Sequence, residues 1–306
     1  MKGLKFYIKD SLKNHYALGA FNFVNMEMLK GIAEGAKETR SPAIVSVSEG
    51  AFAYMDENFM KGLFASVRKS YKNIPLFFHL DHGKSFEICK KAVDLNFDSV
   101  MIDGSALPFE ENILVTKKVV DYAHAHGVLV EAELGVLRGI EDNVSAEENI
   151  YTNPESAEEF VRRTGCDTLA VAIGTSHGAY KFSGEATLRF DILSEIEKRL
   201  PNYPLVLHGA SSVPQKYVEV INKFGGEVTG AKGVDENLLK KACREHNIFK
   251  INTDTDLRLA YISTVRKHLA KNPNNIDLRK FNTLAIEEIK NLVADKNRCF
   301  NNINRI

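Results

Sequence analysis

Eight short apolar segments alternate with segments of helical periodicity, and this alternation constrains the fold more than any other feature of the chain. Strands that alternate with helices form parallel sheets, and eight of them within about 250 residues predict an α/β fold, the (β/α)₈ TIM barrel. The alternative is an open doubly wound sheet, but no G-x-G-x-x-G turn follows the first segment. The eight segments are YALGAF (16–21), PAIVSV (42–47), PLFFHL (75–80), SVMID (99–103), VLVEAE (128–133), TLAVAI (168–173), PLVLH (204–208) and IFKIN (248–252).

The connecting segments carry the helical pattern. MEMLKGIAEGAKE and ENILVTKKVVDYAHAHG repeat apolar residues at i, i+3 and i+4, and the second ends at Gly127, a helix-terminating glycine. No low-complexity linker interrupts the chain, so we predict one barrel domain over residues 1–306, with an extra C-terminal helix and a frayed end within 282–306. Two connections, 134–153 and 174–188, have lengths typical of functional lids or disordered segments.

Composition and charge exclude several classes of function. Lys plus Arg and Asp plus Glu both number 40, so the net charge is zero and we expect neither a nucleic-acid nor a membrane-surface partner. The N-terminus, MKGLKFYIKD, lacks the apolar core of a signal peptide, and no segment is apolar over the ~20 residues of a membrane span. The four cysteines form no C-x-x-C pair, which is typical of reduced thiols in a cytoplasmic protein.

A polar residue that can bind a metal, move a proton or bind a substrate follows each predicted strand. In a TIM barrel the active site lies at the carboxyl ends of the strands and draws its residues from several of them. The sequence therefore predicts that these side chains converge on one site. They are Asn22, Ser48, Asp81, His82, Asp103, Glu133, His177, His208, Asn252 and Asp254.

Three histidines among these residues predict a metal centre. His82, His177 and His208 follow the third, sixth and seventh predicted strands. Neutral imidazole is a common zinc ligand, and three protein ligands with one open position characterise a catalytic zinc. For each histidine alone a structural role is as frequent, and the shared position at strand ends favours ligation. His79, within the third strand, is interpreted as a core histidine or one that supports a ligand.

Three further motifs predict a phosphate site. HGAY (177–180) and HGASS (208–212) each follow a strand with His-Gly-Ala, which lets backbone N–H groups approach an anion. NTDT (252–255) opens a helix after the eighth strand, so its N–H groups face the same cavity. A phosphate bound by the loops after strands seven and eight is a recurrent arrangement in TIM barrels.

Taken together and in order, these motifs resemble those of the class II, zinc-dependent fructose-bisphosphate aldolases. The resemblance runs from GAFNF (19–23) through HLDHG (79–83), VEAELG (130–135), GTSHGAYKF, VLHGAS and NTDTDLR to DLRKF (277–281). The related tagatose-bisphosphate aldolases share most of this pattern. The resemblance implies metal-dependent, reversible cleavage of fructose 1,6-bisphosphate to dihydroxyacetone phosphate and glyceraldehyde 3-phosphate, a step of glycolysis and gluconeogenesis.

The resemblance also implies roles for individual residues. His82, His177 and His208 are the expected ligands of a catalytic Zn²⁺, and Asp103 with Glu133 matches the acidic pair of a second position for a divalent or monovalent cation. Asp81 is the expected acid/base for the C4 hydroxyl, and Glu141 the expected base for the C3 proton. The expected dihydroxyacetone-phosphate site consists of Gly178, Gly209, Ala210, Ser211, Asn252, Thr253, Asp254 and Thr255.

Five more residues are expected to contact the sugar or the phosphates, and one of them implies an oligomer. They are Asn22, Ser48, Lys181, Arg258 and Arg279. Arg279 is expected to reach the partner subunit's site, in a homodimer or a homotetramer. One departure from the family pattern is Arg138 in GVLRGIE, where Gly or Met is usual. It precedes Glu141 in the same loop, so it bears on the loop's conformation and not on the metal ligands.

Four alternative functions stay open at this point. Tagatose 1,6-bisphosphate differs from the fructose substrate only in the configuration at C4. A Schiff-base aldolase needs a lysine in the pocket, and Lys250 is the strand lysine to test. A metal-dependent barrel hydrolase also uses His and Asp at strand ends, but YALGAFNF has no H-x-H pair. A non-catalytic phosphosugar-binding barrel would not need Asp81 beside three histidines.

Overall fold

Eight parallel strands close into a barrel, and helices surround it. The computed structural model describes residues 2–136, 139–141, 144–146, 150–175 and 188–306, and only the backbone of 139–141 and 144–146. The order of strands around the barrel is β1-β10-β9-β8-β5-β4-β3-β2. They are β1 Leu18–Asn22, β2 Ala43–Ser48, β3 Leu76–Gly83, β4 Ser99–Ile102, β5 Leu129–Leu134, β8 Thr168–Val171, β9 Leu205–Leu207 and β10 Ile248–Thr253. All eight predicted strands and the TIM barrel are confirmed.

The described residues form helices before the first strand, between the strands and after the last strand. They are α1 Leu4–Asn14, α2 Met26–Thr39, α3 Glu49–Met55, α4 Glu57–Ser70, α5 Phe86–Asp94, α6 Phe109–Ala125, α7 Pro154–Thr164, α8 Phe190–Arg199, α9 Gln215–Lys223, α10 Glu236–Glu245, α11 Thr255–Lys271 and α12 Leu278–Cys299. The two helices predicted from periodicity are α2 and α6. Gly127 has the positive φ of 73° expected just past a helix end. None of the described helices combines the length and apolar character that crossing a bilayer requires.

The register of the barrel places the predicted polar residues at one end. β2 and β3 pair from Ala43 with Leu76 to Ser48 with Asp81, so their last residues are neighbours. Helices cover the outside and side chains fill the inside, so the strands are buried on both faces. Strands buried on both faces read as continuous apolar runs, and for this reason they were recognisable in the sequence.

The opposite end of the barrel is closed by α1, which was not predicted from the sequence. Its apolar side chains Leu4, Tyr7 and Ile8 are buried in a cluster with residues from the starts of the strands, among them Leu18 and Phe77. The ring of Tyr7 lies 5.7 Å from that of Phe77. Because α1 covers the amino ends of the strands, the carboxyl ends are the end of the barrel that presents polar groups.

The predicted frayed C-terminus is wrong. α12 packs along α2, and the residues after it continue into the protein. Phe300 and Asn302 are fully buried. Asn302 Nδ2 donates to the carbonyl oxygen of Pro42 at 2.9 Å, and the backbone N–H of Arg305 donates to the carbonyl of Arg40 at 3.0 Å. From the sequence, the polar residues of the tail look solvated. In the structure they donate hydrogen bonds to backbone carbonyl groups of the loop before β2.

One of the two long connections contains regular structure in the part that is described. Residues 134–153 contain a short antiparallel hairpin, formed by β6 (Gly139–Glu141) and β7 (Val144–Ala146). Val136 and Ile150 exchange backbone hydrogen bonds of 2.9 and 2.8 Å at its base. Of the connection 174–188, residues 176–187 lie outside the described residues.

Candidate active site

A bulge at the end of β3 places two consecutive side chains in one cavity. Successive side chains of a regular strand point to opposite faces. Between Leu80 and Gly83 the register of β3 against β4 shifts, and His82 has a left-handed φ of 50°. Such a φ is uncommon outside glycine, although Asn, Asp and His adopt it more often than other residues, and it is concentrated at functional sites. As a result the donor atoms of Asp81, His82 and His208 lie within 4.8 Å of one another.

The two described histidines of the predicted metal centre face each other. His82 Nε2 lies 2.8 Å from His208 Nδ1, and both rings are buried. The far nitrogen of each ring meets a carboxylate, since His82 Nδ1 lies 3.0 Å from Asp103 Oδ2 and His208 Nε2 lies 2.7 Å from Glu131 Oε1. Such outer carboxylates fix the ring orientation and the tautomer of metal-binding histidines.

Glu131 is itself part of a buried charge network below the histidines. Lys250 Nζ donates to both oxygens of Glu131 at 2.8 and 2.9 Å, and both side chains are buried inside the barrel. His79 completes the network, with Nε2 3.3 Å from Lys250 Nζ and Nδ1 2.8 Å from Ser99 Oγ. Burial, with the Lys250 ammonium, holds the pKa of His79 well below its usual range. The interpretation of His79 as a supporting histidine agrees with this geometry.

Asp103 and Glu133 flank His82, as expected of the acidic pair. Their carboxylate oxygens lie with the His82 nitrogen within 4.8 Å of one another. Burial opposes ionisation of Asp103, but its hydrogen bond to His82 and its ion pair with Lys84, 2.6 Å away, lower its pKa. Burial and the neighbouring Asp103 charge instead raise the pKa of Glu133 to about 8. Two adjacent carboxylates whose pKa values are shifted in opposite directions interact directly through their charges.

Two asparagines orient the carboxylate of Asp81, which is completely buried. Asn22 Nδ2 donates to Oδ2 at 2.8 Å, and Asn252 Nδ2 donates to Oδ1 at 2.9 Å. Asn252 Nδ2 also lies 3.1 Å from His208 Nδ1, so it joins the acid to the histidine pair. Asn22 and Asn252 come from the ends of β1 and β10, which pair directly. The predicted convergence of strand ends is therefore observed for these residues.

The predicted phosphate segments of the described chain are neighbours at the same end of the barrel. Gly209, with a φ of 58°, begins the loop after β9, and Ala210 and Ser211 are buried beside it. Asn252 and Thr253 end β10, and α11 begins at Thr255. A helix start with backbone N–H groups directed at the cavity favours an anion.

The predicted substrate contacts at the edge of the site lie in different structural environments. Asp254 accepts a hydrogen bond from Arg258 Nε at 2.9 Å, which places this guanidinium at the start of α11. Ser48 ends β2 and caps α3 by accepting from the N–H of Ala51. Arg279 extends from α12 with 89% of its side chain exposed, and it pairs with Asp277.

Several predicted residues lie outside the described part of the chain. His177, Gly178 and Lys181 fall within 176–187, and Arg138 falls within 137–138. The backbone of Glu141 ends β6, but its side chain is not described. The third histidine, the base and part of the phosphate site therefore stay predictions.

Glu131, Lys250 and Lys84 are candidate site residues that were not predicted in these roles. Glu131 and Glu133 are two apart in VEAELG, and period two in a strand directs both into the barrel. This spacing is the sequence feature from which a place for Glu131 inside the barrel can be predicted. The sequence suggests Lys250 only as a Schiff-base lysine, whereas its two hydrogen bonds to Glu131 show it as a structural cation.

The donor set fits a Zn²⁺ ion. If Asp103 and Glu131 each take an N–H from their histidine, the lone pairs of His82 Nε2 and His208 Nδ1 face each other at 2.8 Å. Facing lone pairs repel, and a cation bound by both nitrogens would remove this repulsion. Burial alone would lower the pKa of His82, but the hydrogen bond to Asp103 and the charge of Asp81 raise it to about 10. Two imidazole nitrogens in an acidic pocket are ligands that zinc prefers.

A closed parallel barrel whose strand ends gather buried histidines and carboxylates defines a TIM-barrel protein with a candidate metal centre. The sequence model of the family described as "Fructose-bisphosphate aldolase class-II" matches residues 3–305. The chain therefore belongs to the class-II fructose-bisphosphate aldolase family and is an aldolase, an enzyme of the lyase class.

Full-length relatives agree with this assignment. The fructose-bisphosphate aldolase of Helicobacter pylori strain 26695 is 47% identical over 308 residues, which cover 100% of this chain and 99% of that protein. That of Treponema pallidum is 44% identical, with coverage of 94% and 92%. Among solved structures, the YdjI aldolase of Escherichia coli K12 superposes with a TM-score of 0.80 at 31% identity, covering 100% and 99% of the two chains. A putative fructose-1,6-biphosphate aldolase of Coccidioides immitis gives 0.82 at 26% identity, covering 99% and 97%.

Proposed function

We propose that this aldolase catalyses the reversible cleavage of fructose 1,6-bisphosphate to dihydroxyacetone phosphate and glyceraldehyde 3-phosphate, in glycolysis and gluconeogenesis. One observation carries the proposal. The carboxylate of Asp81 is locked beside the His82–His208 pair, with donor atoms of all three residues within 4.8 Å. An acid/base group and a metal centre thus reach adjacent atoms of one small substrate, as aldol cleavage requires.

The proposed cofactor is one Zn²⁺ held by His82, His177 and His208. When bound, zinc supplies a Lewis acid that withdraws electrons from the substrate carbonyl. Asp103 and Glu133 are the proposed ligands of a second position for a divalent or monovalent cation. In support, one oxygen of Glu133 is buried and makes no hydrogen bond within the described residues, and a cation nearby would offset this cost.

Asp81 is the proposed acid/base at C4. In cleavage it takes the proton of the C4 hydroxyl while the C3–C4 bond breaks, and in condensation it returns that proton to the new C4 oxygen. Its two hydrogen bonds from Asn22 and Asn252 hold the carboxylate in one orientation, so little reorganisation is needed at the moment of transfer.

Glu141 is the proposed base at C3, and it moves the proton that Asp81 does not reach. In condensation it removes a C3 proton from dihydroxyacetone phosphate, and in cleavage it returns one to the same carbon. Its support is its position in the hairpin after β5, the strand that carries Glu131 and Glu133. A base on a connection over the barrel end can arrive as the site closes and excludes water.

The remaining proposed residues bind the substrate. One phosphate lies against the loops after the sixth and seventh barrel strands and against the start of α11, and the cationic side chains bind the other phosphate or the sugar. The proposed contacts are Asn22, Ser48, Gly178, Lys181, Gly209, Ala210, Ser211, Asn252, Thr253, Asp254, Thr255, Arg258 and Arg279. The adjacency of Gly209–Ser211 and Thr253–Thr255 at the barrel end supports this site.

The proposed assembly is a cytoplasmic homodimer or homotetramer of single-domain subunits, without nucleic-acid or membrane partners. Beside Arg279, the side chains of Ile276 and Leu278 are 94% and 64% exposed. Exposed large apolar residues next to an extended arginine are typical of a contact surface. The four cysteines are unpaired and buried, as in a reducing compartment. Light scattering at several concentrations tests the oligomeric state.

A steady-state assay with two sugars tests the function. Cleavage of fructose 1,6-bisphosphate and of tagatose 1,6-bisphosphate is measured before and after verified removal of metal, and again after Zn²⁺ is added. We expect preference for the fructose substrate, loss of activity without metal and recovery with zinc. Preference for tagatose bisphosphate identifies the alternative aldolase, and full activity without metal contradicts the zinc proposal.

Borohydride treatment with substrate provides a second discriminating readout. A Schiff-base aldolase would be labelled at a lysine. We expect no adduct, because Lys250 is occupied by Glu131 and lies deep in the barrel. An adduct at Lys250 would move the chain to the Schiff-base class, and absence of any cleavage with both sugars would contradict the proposed reaction.

A further inference from the structure

A second buried charge cluster lies under the loop after β9, away from the histidine pair. Lys296, near the end of α12, is almost completely buried, and Asp256, in the first turn of α11, is completely buried. Lys296 Nζ lies 2.8 Å from Asp256 Oδ2 and 3.0 Å from Glu236 Oε1, at the start of α10. It also donates to Ser212 Oγ at 2.6 Å. One ammonium therefore joins three helices and one loop.

Asp256 accepts further hydrogen bonds from that loop, one from the Ser212 hydroxyl at 3.2 Å and two from backbone N–H groups. Its Oδ1 accepts from the N–H of Val213 at 2.8 Å, and its Oδ2 accepts from the N–H of Ser212 at 3.0 Å. Burial opposes ionisation of Asp256, but Lys296 and these two N–H groups lower its pKa. The carboxylate thus fixes the loop that contains Gly209–Ser211 against the helix start at Thr255.

The loop held in this way has an unfavourable backbone conformation. Val213 has a φ of 50°, which is a genuine outlier for a β-branched residue. On the other side, a Cβ at Gly233 would lie 2.3 Å from the carbonyl oxygen of Ser211. The N–H of Val234 donates to that same oxygen at 3.1 Å. A strained segment of this kind persists only where its surroundings determine its conformation.

We propose that Asp256 and Lys296 are positioning residues that hold the two halves of the phosphate site in register, the loop 209–213 and the first turn of α11. The inference rests on the proposed function, because it takes Gly209–Ser211 and Thr255 as phosphate contacts. Lys296 does not touch the substrate. It acts through Asp256, by keeping a buried carboxylate ionised and directed at the N–H groups of Ser212 and Val213.

As a consequence, the C-terminal end of α12, which carries Lys296, controls affinity for phosphorylated ligands. The N-terminal end of the same helix carries the exposed Leu278 and Arg279. Anion binding by backbone N–H groups depends on their direction, because the groups cannot follow the ligand as a flexible side chain does. Loss of the ammonium leaves Asp256 buried and unpaired, which favours its neutral form. A neutral Asp256 attracts the two N–H groups less, so the strained loop is free to relax.

The test compares Lys296→Met with Lys290→Met. Lys290 lies on the same helix and pairs with Glu38 and Glu287, with 25% of its side chain exposed, so the control removes the same charge without touching the loop. For each protein, Kd for inorganic phosphate is measured by calorimetry, together with KM, kcat, zinc content and Tm. In Lys296→Met we expect Kd for phosphate and KM for the sugar bisphosphate to rise about 10- to 100-fold, as for loss of a charge-assisted hydrogen bond.

The expected pattern separates positioning from general damage. We expect kcat and zinc content of Lys296→Met to stay near those of the parent, and Lys290→Met to match the parent in Kd for phosphate. Unchanged Kd for phosphate in folded Lys296→Met overturns the proposal. So does a fall in zinc content and kcat with phosphate binding intact, because that is the result of a purely structural role.

Two further variants keep the test decisive if Lys296→Met does not fold. Ser212→Ala removes the side chain that receives the Lys296 hydrogen bond, and we expect about 3- to 10-fold weaker phosphate binding with Tm near the parent value. The double variant Asp256→Asn with Lys296→Met removes both buried charges together. It should weaken phosphate binding at least as much as Ser212→Ala does. Parent-like phosphate binding in either protein overturns the proposal. Phosphate binding is measured without turnover, so these results hold even if the parent enzyme prefers another sugar bisphosphate.

Discussion

His82 Nε2 lies 2.8 Å from His208 Nδ1, across 126 residues of sequence, and a different carboxylate binds the far nitrogen of each ring. This relationship fixes which nitrogen each ring presents to the centre of the site. It also divides the acidic residues around the site into two kinds. Asp103 and Glu131 orient the histidines, whereas Asp81 is held by two asparagine side chains at the edge of the pair.

The first prediction concerns Glu131, which binds the far nitrogen of His208. Glu131→Gln keeps the shape of the side chain but removes the charge that supports the imidazole and that neutralises Lys250. Outer carboxylates of this kind contribute about 10- to 100-fold to metal affinity. We therefore expect zinc affinity to fall by about that factor, as measured by competition with a chromophoric chelator.

A matched control for Glu131 exists elsewhere in the barrel. Glu197 binds His246 Nδ1 at 3.1 Å, far from the site in a similar Glu–His pair on the outer helices. Glu197→Gln should leave zinc affinity at the parent value. Equal zinc affinity in Glu131→Gln and the parent would show that His208 does not need its carboxylate to bind metal.

The second prediction concerns Asp81. Asp81→Ala should retain zinc and lose cleavage by about 10²- to 10⁴-fold, the usual contribution of a general acid–base group. Zinc content by mass spectrometry and kcat are measured on the same sample. The control is Asp167→Ala, because Asp167 is a partly buried, hydrogen-bonded aspartate that lies at the amino end of the barrel, where it binds His124 at 2.8 Å. If zinc content falls in step with activity, Asp81 is instead a support for the metal centre.

The strands and most strand-end residues could be predicted from the sequence, and the reason is physical. Strands buried on both faces are continuous apolar runs, and the parallel arrangement brings the residues after them to one end. Asn22, Asp81, His82, His208 and Asn252 meet there as predicted. Nothing beyond the order of elements was needed to bring residues from β1, β3, β9 and β10 together.

Other features depend on tertiary contacts that a sequence pattern does not show. The φ of 50° at His82 belongs to a histidine and not to a glycine, so the bulge in β3 has no local signal. The carboxylate that Lys250 pairs with lies 119 residues away. Four of the seven residues after α12 are polar, which suggests a solvated tail, yet Asn302 is completely buried against Pro42. In each case a distant partner decides the environment.

The third prediction concerns the pH dependence of stability at the Asp256–Lys296 pair. The folded-state pKa of Asp256 is lowered, so its contribution to stability is present above the unfolded pKa of about 3.9 and is lost as pH falls through the folded pKa. The pKa of Lys296 is raised, because Asp256 and Glu236 outweigh burial. Its contribution is present below the unfolded pKa of about 10.4 and is lost as pH rises through the folded pKa.

The unfolding free energy, measured with urea at several pH values, tests the predicted pH dependence of stability. At pH 7, Lys296→Met should lose about 3–5 kcal/mol of unfolding free energy, because one buried charge is left unpaired. Asp256→Asn with Lys296→Met should lose less, and its stability should fall less steeply below about pH 4 than that of the parent. Parallel curves for parent and double variant would show that the pair does not contribute to acid unfolding.

The fourth prediction concerns Glu141, whose backbone ends β6 and pairs with Val144 in the hairpin after β5. The proposed metal centre and phosphate site are built from other elements, so Glu141→Ala should leave zinc content and Kd for inorganic phosphate near the parent values. Removal of the C3 proton from dihydroxyacetone phosphate needs neither an aldehyde nor Asp81. Loss of tritium from C3-labelled dihydroxyacetone phosphate therefore isolates the step assigned to Glu141.

In that exchange we expect Glu141→Ala to be slower by about 10²- to 10⁴-fold, whereas Asp81→Ala should exchange at a rate near that of the parent while failing to cleave the bisphosphate. Glu148→Ala removes another carboxylate from the same connection. It serves as the control and should exchange at the parent rate. The two active-site variants thus fail in opposite halves of one reaction, which a general loss of folding or metal cannot reproduce. If Glu141→Ala exchanges at the parent rate, the base lies elsewhere, and Asp254 at the start of α11 is the next carboxylate to replace, because it is buried at the same end of the barrel.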